Sequence, residues 1–389
     1  LEGIYGSGLE GMELDERNGR LFMTPYAGGA TVEVLALGDT LVVDGRTSYG
    51  MKFLRTENGI RIVDGPVMNR QNSDQMPPTI PEHWEGLIGE YGWDHNVLYI
   101  LERRGSLHAL IEWFYLEPLV EIGPDEYAFP EDRGLYPGER LFFNRDPEGR
   151  ATVVEAAGIE FFRRDVGTMA GETFRIIPQR PVEELRGEAL DAKPPEESGE
   201  FRNSELVEIT EVEPGVELDV RYATTNNFMS SIFYNEPKAF LQRPAAQAVG
   251  RAHRELSQYG FGLLIHDAYR PWYVTKMFWD ATPVEQRFFV ANPANGSRHN
   301  RGAAVDLTLY ELSNGTPMEM VGSYDEFSPR SYPDYPGGTS RQRWLRERLR
   351  RAMENQGFTV YEGEWWHFDH KSWREYGIQN DVFSQIVSN

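Results

Sequence analysis

Cysteine is absent from this sequence, which excludes disulfides, thiolate nucleophiles and sulfur ligands. Any metal must therefore be held by His, Asp or Glu. Basic residues are in short supply: 39 Lys and Arg stand against 61 Asp and Glu, a formal net charge of −22. A nucleic-acid surface needs clustered cations, so no nucleic-acid partner is expected. No apolar run approaches the roughly eighteen residues of a membrane helix, so no membrane span is expected either. Absent cysteine is compatible with cytoplasm or periplasm alike. A first residue of Leu rather than Met leaves room for a removed leader.

What is present points to more than one domain. The 389 residues exceed the size at which a single core usually keeps growing. Residues 1 to about 185 read as all-β, with runs such as Thr31-Val32-Glu33-Val34-Leu35 and Thr40-Leu41-Val42-Val43 set between Gly and Asp turns. This half also repeats itself. Leu1-x-Gly3-x-Tyr5 recurs as Leu87-x-Gly89-x-Tyr91, and Glu16-Arg17-x-Gly19-x-Leu21 recurs as Glu102-Arg103-x-Gly105-x-Leu107 at the same offset. Phe53-x-Arg55 with Gly59 is echoed by Phe143-x-Arg145 with Gly149. The economical reading is a duplicated antiparallel β module, 1–80 and 84–185, closed as a barrel or packed as a sandwich. Its Gly-x-Tyr opening and strand rhythm resemble the lipocalin-like β domains appended to some serine hydrolases of the β-lactamase type. His83, His95 and His108 lack metal-ligand spacing and read as ordinary polar residues.

Residues 182–204 are acidic, Pro-rich and poor in large apolar side chains, so a linker is expected at 186–204. From 205 to 389 helical and strand patterns alternate. A strand is expected at Val216 to Tyr222, and a helix opened by Pro244 and ended by Gly260. Further strands are expected at Gly262 to Ile265, Ala303 to Leu309 and Phe358 to Tyr361, and a further helix at Arg341 to Gln356. Together these predict an α+β domain.

The chemistry concentrates in Ser297-Arg298-His299-Asn300-Arg301-Gly302-Ala303-Ala304-Val305-Asp306 and in Glu364-Trp365-Trp366-His367. Two imidazoles and one carboxylate with an open fourth position make a catalytic zinc ligand set, and a spare Glu suits deprotonation of water. Surface polar residues in two loops are the plain alternative. Glu364 and His367 are three apart, so a regular strand would point them to opposite faces. A bend is needed if both address one metal.

The pattern Ser297-x-His299-x-x-Gly302-x-Ala304-x-Asp306 with Glu364-Trp365-Trp366-His367 resembles the VanX-type D-alanyl-D-alanine dipeptidases, a zinc peptidase family. The similarity runs in family order through Arg221-Tyr222-Ala223-Thr224, Asp267-x-Tyr269-Arg270-Pro271 and Met353-Glu354-Asn355-x-Gly357-Phe358, and covers about 205–370. The resemblance implies one zinc per catalytic domain, held by His299, Asp306 and His367. It implies Glu364 as the base that activates water and then protonates the leaving amine, and Arg270 as the oxyanion stabiliser. Asp325 and Asp267 match positions that hold a substrate ammonium, and Ser297 and Tyr234 match positions near the substrate carboxylate. His266 stands where the family more often has an aromatic residue, and Pro329-Arg330-Ser331-Tyr332 replaces a more polar continuation. His253 and His370 fall outside the motif.

The expectation is therefore hydrolysis of D-Ala-D-Ala or a related D-configured dipeptide. The alternatives are a D,D-carboxypeptidase or endopeptidase acting on peptidoglycan stem peptides, and a non-catalytic β-barrel ligand-binding protein. A periplasmic or secreted location is expected, with cytoplasm as the alternative. Self-association through the β half is a further expectation.

Overall fold

The computed structural model describes residues 1–386 other than 18, 46–48, 73, 113 and 169–171. It divides into two units, Leu1–Asp165 with Pro336–Arg341, and Val166–Tyr335 with Gln342–Asn389.

Period-two alternation builds the first unit. In Thr40–Asp44, for example, Leu41 and Val43 point inward and are fully buried while their neighbours face out. Eight antiparallel strands between Gly3 and Asn69 follow one another in a single sheet. A bridge from Tyr5 to Arg70 brings its last strand round to its first. Leu14, Val34, Leu41, Val43, Phe53 and Ile60 fill the interior. Two five-stranded sheets follow, formed by strands from Gly89–Trp93 to Tyr115–Pro118 together with Gly29–Ala30, and by strands from Val120–Gly123 to Ile159–Phe162. Here a bridge from Tyr91 to Arg163 joins the two. Tyr91, Leu98, Ile100, Tyr127, Leu141 and Phe143 form the core. The N-terminal half is thus all-β, with nearly closed sheets.

Its C-terminal limit differs from expectation. The last strand of this half ends at Phe162, and the units separate at 165/166 rather than at a linker over 186–204. Residues 182–191 form a helix after Pro181, with Val182, Leu185 and Ala189 buried along one side. That side packs on the helix Trp272–Ala281. Further on, Glu197 receives the Arg301 guanidinium at 2.5 Å and the Ile378 N–H at 2.6 Å. The acidic residues occupy the solvent side, so average composition hid an amphipathic helix.

The second unit is built on a five-stranded sheet with the order Glu217–Leu218, Phe261–Asp267, Ala304–Glu311, Glu364–His370, Phe358–Tyr361. Only the first pairing is parallel. The expected strand over Val216 to Tyr222 shrinks to Glu217–Leu218, because Arg221–Ala223 turns into a short 3-10 segment. The helix Arg243–Ser257 carries Pro244 in its first turn and packs on Phe261–Asp267. The helix Ser340–Asn355 buries Leu345, Leu349, Ala352 and Met353. Both central strands are buried on both faces, so polar side chains at their ends enter a dry site.

Candidate metal centre and active site

Adjacent strands line up three side chains. Asp267 pairs with Asp306, and Asp306 pairs with His367. Register irregularities produce that row. Ile265 faces Leu307 while Asp267 faces Asp306, so His266 is an extra residue that turns Asp267 into line. On the outer side Val360 faces Phe368 but Tyr361 faces Glu364. One step on one strand therefore spans four on the other, and this is the bend that lets Glu364 and His367 share a site. His299 arrives from a 3-10 turn, His299–Arg301, which ends at Gly302 in left-handed backbone with φ 64°. A Cβ there would stand 2.4 Å from Leu206, so the turn also needs glycine for space.

The donor atoms converge. His299 Nε2 lies 3.1 Å from His367 Nδ1 and 3.3 Å from Asp306 Oδ1, and His367 Nδ1 lies 3.0 Å from Asp306 Oδ1. Metal–ligand bonds of about 2.0–2.2 Å arranged as a tetrahedron put neighbouring donors about 3.3 Å apart, so the triangle has the size a metal requires. Ring orientation agrees. His299 Nδ1 donates to the Ala268 carbonyl at 2.6 Å, leaving Nε2 as the lone pair. His367 Nε2 is held by Asp369 Oδ1 at 3.0 Å, which frees Nδ1. Among the described residues this is the one buried His/Asp/Glu group with such convergence. Three buried protein ligands converging in this way fit a metal ion.

Electrostatics point the same way. Burial would raise the Asp306 carboxyl, yet His299 and His367 hold it well below the usual carboxylate range. Burial opposes charge on His367, but Asp306 and Asp369 hold its proton well above the ordinary imidazole range. Asp306 and Asp369, both held low by His367, thus favour positive charge at its ring.

Around this centre stand the acid–base and cationic groups. Glu364 Oε2 is 3.7 Å from His367 Nδ1, and its side chain keeps 21% exposure. Burial, opposed by His367 and reinforced by Asp306, pushes its carboxyl up to about 7. The buried Arg270 guanidinium meets Asp267 Oδ2 at 2.7 and 2.9 Å and comes within 3.8 Å of Asp306 Oδ2. It lies over the rings of Phe278 and Tyr222 at 4.8 and 5.3 Å. Both Asp267 oxygens are engaged, since Tyr234 donates to Oδ1 at 2.7 Å. Asp325 accepts from Tyr222 at 2.8 Å, and burial together with Asp306 pushes its carboxyl well above the usual range. Ser297 Oγ accepts the His299 N–H at 3.2 Å.

All nine residues singled out from the sequence thus fall in one connected network. Others escaped the sequence reading. Asp369 orients His367, and its spacing of two along a strand puts both on one side, a signal that was available. Tyr324 donates to Asp306 Oδ2 at 3.1 Å and stacks on His266 at 4.5 Å. His266 in turn sits 3.4 Å from Asp219, and no local pattern announces that chain of contacts.

Comparison with known proteins agrees with the geometry. A family model for D-ala-D-ala dipeptidases of the peptidase M15 group matches residues 202–387. The D-alanyl-D-alanine dipeptidase of Escherichia coli K12 is 32% identical over 188 residues, covering 48% of this chain and 94% of that protein. Those of Enterococcus faecium and Streptomyces coelicolor are each 32% identical over 178 residues, covering 41% of this chain and 88% of theirs. The family model thus falls within the second part of the chain, and these relatives cover 41–48% of it. With its converging His299, Asp306 and His367 and this degree of coverage, the chain belongs to the D-alanyl-D-alanine dipeptidase family of metallopeptidases.

Proposed function

We propose that the second unit hydrolyses D-Ala-D-Ala or a closely related D-configured dipeptide, with zinc held by His299, Asp306 and His367. The observation that carries this reading is the triangle of donors at 3.0–3.3 Å with Glu364 and Arg270 beside it. A bound zinc supplies Lewis acidity toward the scissile carbonyl and makes water acidic enough to attack.

The protein's own groups do the rest. Glu364, with a carboxyl near 7, takes a proton from the attacking water and returns it to the leaving amine. Arg270 faces the oxygen on which negative charge develops, and it cannot lose its own charge. Asp267 and Tyr234 aim that guanidinium, because both Asp267 oxygens are already engaged. Asp325 receives the substrate ammonium; a carboxyl pushed up by burial and by Asp306 gains most from an incoming cation. Ser297 accepts with its oxygen and keeps its own O–H to give to the substrate carboxylate. A site with Asp267, Arg270, His299 and Asp306 all at least nine-tenths buried suits a small substrate.

We extend the reading to the β half. The matching Tyr5–Arg70 and Tyr91–Arg163 bridges support descent of its two parts from one β unit. For location we keep a periplasmic or secreted setting as the proposal, with cytoplasm as the alternative.

The test is hydrolysis of a panel of dipeptide stereoisomers, N-acylated dipeptides and longer stem peptides, with and without a chelator. Cleavage of free D,D-dipeptides that stops on chelation and returns with zinc is expected. Cleavage confined to blocked or longer peptides would replace dipeptidase by carboxypeptidase or endopeptidase activity.

A further inference from the structure

In the described part of the second unit, two residues other than glycine have left-handed backbone: Ser230 with φ 54° and Asp325 with φ 59°. Such conformations persist only where the surroundings over-determine them. Both lie in loops that carry site groups. Ser230 falls between Tyr222 and Tyr234, whose hydroxyls donate to Asp325 and Asp267. Asp325 is itself the carboxyl assigned to the substrate ammonium.

Both loops are held by one stretch of chain that lies upstream of the family match. Arg175 Nη1 donates to Ser230 Oγ at 2.5 Å, to the Thr225 carbonyl at 3.1 Å and to the Asn227 carbonyl at 3.4 Å. Thr173 Oγ1 donates to Asn226 Oδ1 at 2.5 Å, and the Ile176 N–H reaches the Phe228 carbonyl at 2.8 Å. On the second loop, Arg330 bridges Glu326, the residue after Asp325, to the carbonyls of Thr168 and Val166, at 3.0, 3.0 and 3.4 Å. Thr168 Oγ1 donates to Ser323 Oγ at 2.9 Å, and Phe174 packs on Phe327 at 5.2 Å. Glu326 is fully buried and also takes the Ser323 N–H at 3.0 Å and the Ser328 hydroxyl. Gly167 passes so close that a Cβ would stand 1.9 Å from Glu326 Oε1.

We propose that residues 166–168 and 172–176 are a positioning clamp for the ammonium-binding side of the site, so that the working catalytic unit begins upstream of the 202–387 family domain. The assignment of Asp325 rests on the function proposed above; the clamp itself rests on the two strained loops and their shared partners. Removal of the clamp lets Ser230 and Asp325 relax and misaims Tyr222, Tyr234 and Asp325 together.

The test uses the full chain. Arg175→Ala is expected to raise KM for the free dipeptide about tenfold with a smaller change in kcat and unchanged zinc per chain. Amide exchange is expected to quicken in 221–234 and 323–328. Ser230→Gly in the Arg175→Ala background is expected to recover part of the loss, since glycine takes this φ without cost. Wild-type KM and wild-type exchange in Arg175→Ala would overturn the clamp, as would a double variant no better than the single one. If Arg175→Ala does not fold, Thr173→Val, which removes the bonds to Asn226 and Arg221 and leaves Arg175 in place, carries the same exchange readout. A wild-type protein that cleaves no free dipeptide would defeat the proposed function instead, and exchange alone would then decide the clamp.

Discussion

Asp369 is not one of the three converging ligands, yet it should set metal affinity. Its Oδ1 meets His367 Nε2 at 3.0 Å, and its Oδ2 is paired with Arg298 at 3.3 Å. Burial would raise its carboxyl, but His367 outweighs that and keeps it below the usual range, so it stays ionised. The His367 ring is thereby fixed with Nδ1 turned toward Asp306 and His299. A hydrogen bond to a charged group contributes about 1.5–3 kcal/mol. At about 1.4 kcal/mol per tenfold, its loss weakens metal binding by about 10–100-fold, which is also the usual effect of removing a carboxylate behind a ligating His. Asp369→Asn keeps an oxygen at Oδ1 and loses only the charge, so it belongs at the low end; Asp369→Ala loses both and belongs at the high end. Asp369 also favours the proton that competes with metal at His367, so the titration should be run at two pH values above neutrality, against a chromophoric chelator. At saturating zinc both variants should keep most of wild-type kcat. Wild-type affinity in both variants, or weaker binding by Asn than by Ala, would refute this account of how His367 is oriented.

Other changes act on different links. Glu364→Gln should retain zinc and lower kcat by about 10²–10⁴-fold, measured under saturating substrate; a smaller loss would remove Glu364 as the base. As the proposed base Glu364 must be ionised, and its carboxyl is pushed up to about 7, so kcat/KM should fall about tenfold per pH unit on the acid side, with a bound cation moving that limb to lower pH. The Gln variant should lose the limb. Gly302→Ala combines a left-handed backbone with a Cβ 2.4 Å from Leu206 and should cost about 2–4 kcal/mol in denaturant unfolding; less than about 0.5 kcal/mol would contradict the turn. His370 is buried against Ser372, and burial, with Lys371 and Arg251, lowers its imidazole to about 4. Its folded pKa lies below the unfolded one near 6.5, so its stabilisation is intact above 6.5 and lost as pH falls toward 4, on the order of 3 kcal/mol. The difference in pH–stability curves between wild type and His370→Asn measures it.

The residues of the candidate metal group were legible because their chemistry is local. Two imidazoles, an aspartate and a spare glutamate in two short stretches already limit what the site can hold, and Gly302 marks the turn between the first pair. Their convergence was not legible, because it depends on strand register. Glu364 and His367 should face opposite ways by period two; only the pairing of Tyr361 with Glu364 and of Val360 with Phe368 brings them together. That irregularity is fixed by what each strand packs against, and no single position in 358–370 announces it. The extra residue His266 likewise turns Asp267 toward Asp306 through its neighbour strand.

The stretch read as a linker fails for a different reason, and it says more about the molecule. Acidic residues dominate 182–204, but Val182, Leu185 and Ala189 recur at helical spacing, and that periodicity outweighs composition because one apolar side suffices to dock a helix. Arg186 then ties the helix to the carbonyls of Ile232 and Phe233, beside Tyr234. Arg175, Arg186 and Arg330 thus all serve as multidentate donors to carbonyls of one part of the chain from side chains of another, which a planar guanidinium does better than an ammonium. The loops left-handed at Ser230 and Asp325 are tied to the upstream segment from both directions, by Arg175 and Arg186 reaching in and by Arg330 reaching out. The upstream segment is therefore part of what makes the site's geometry affordable.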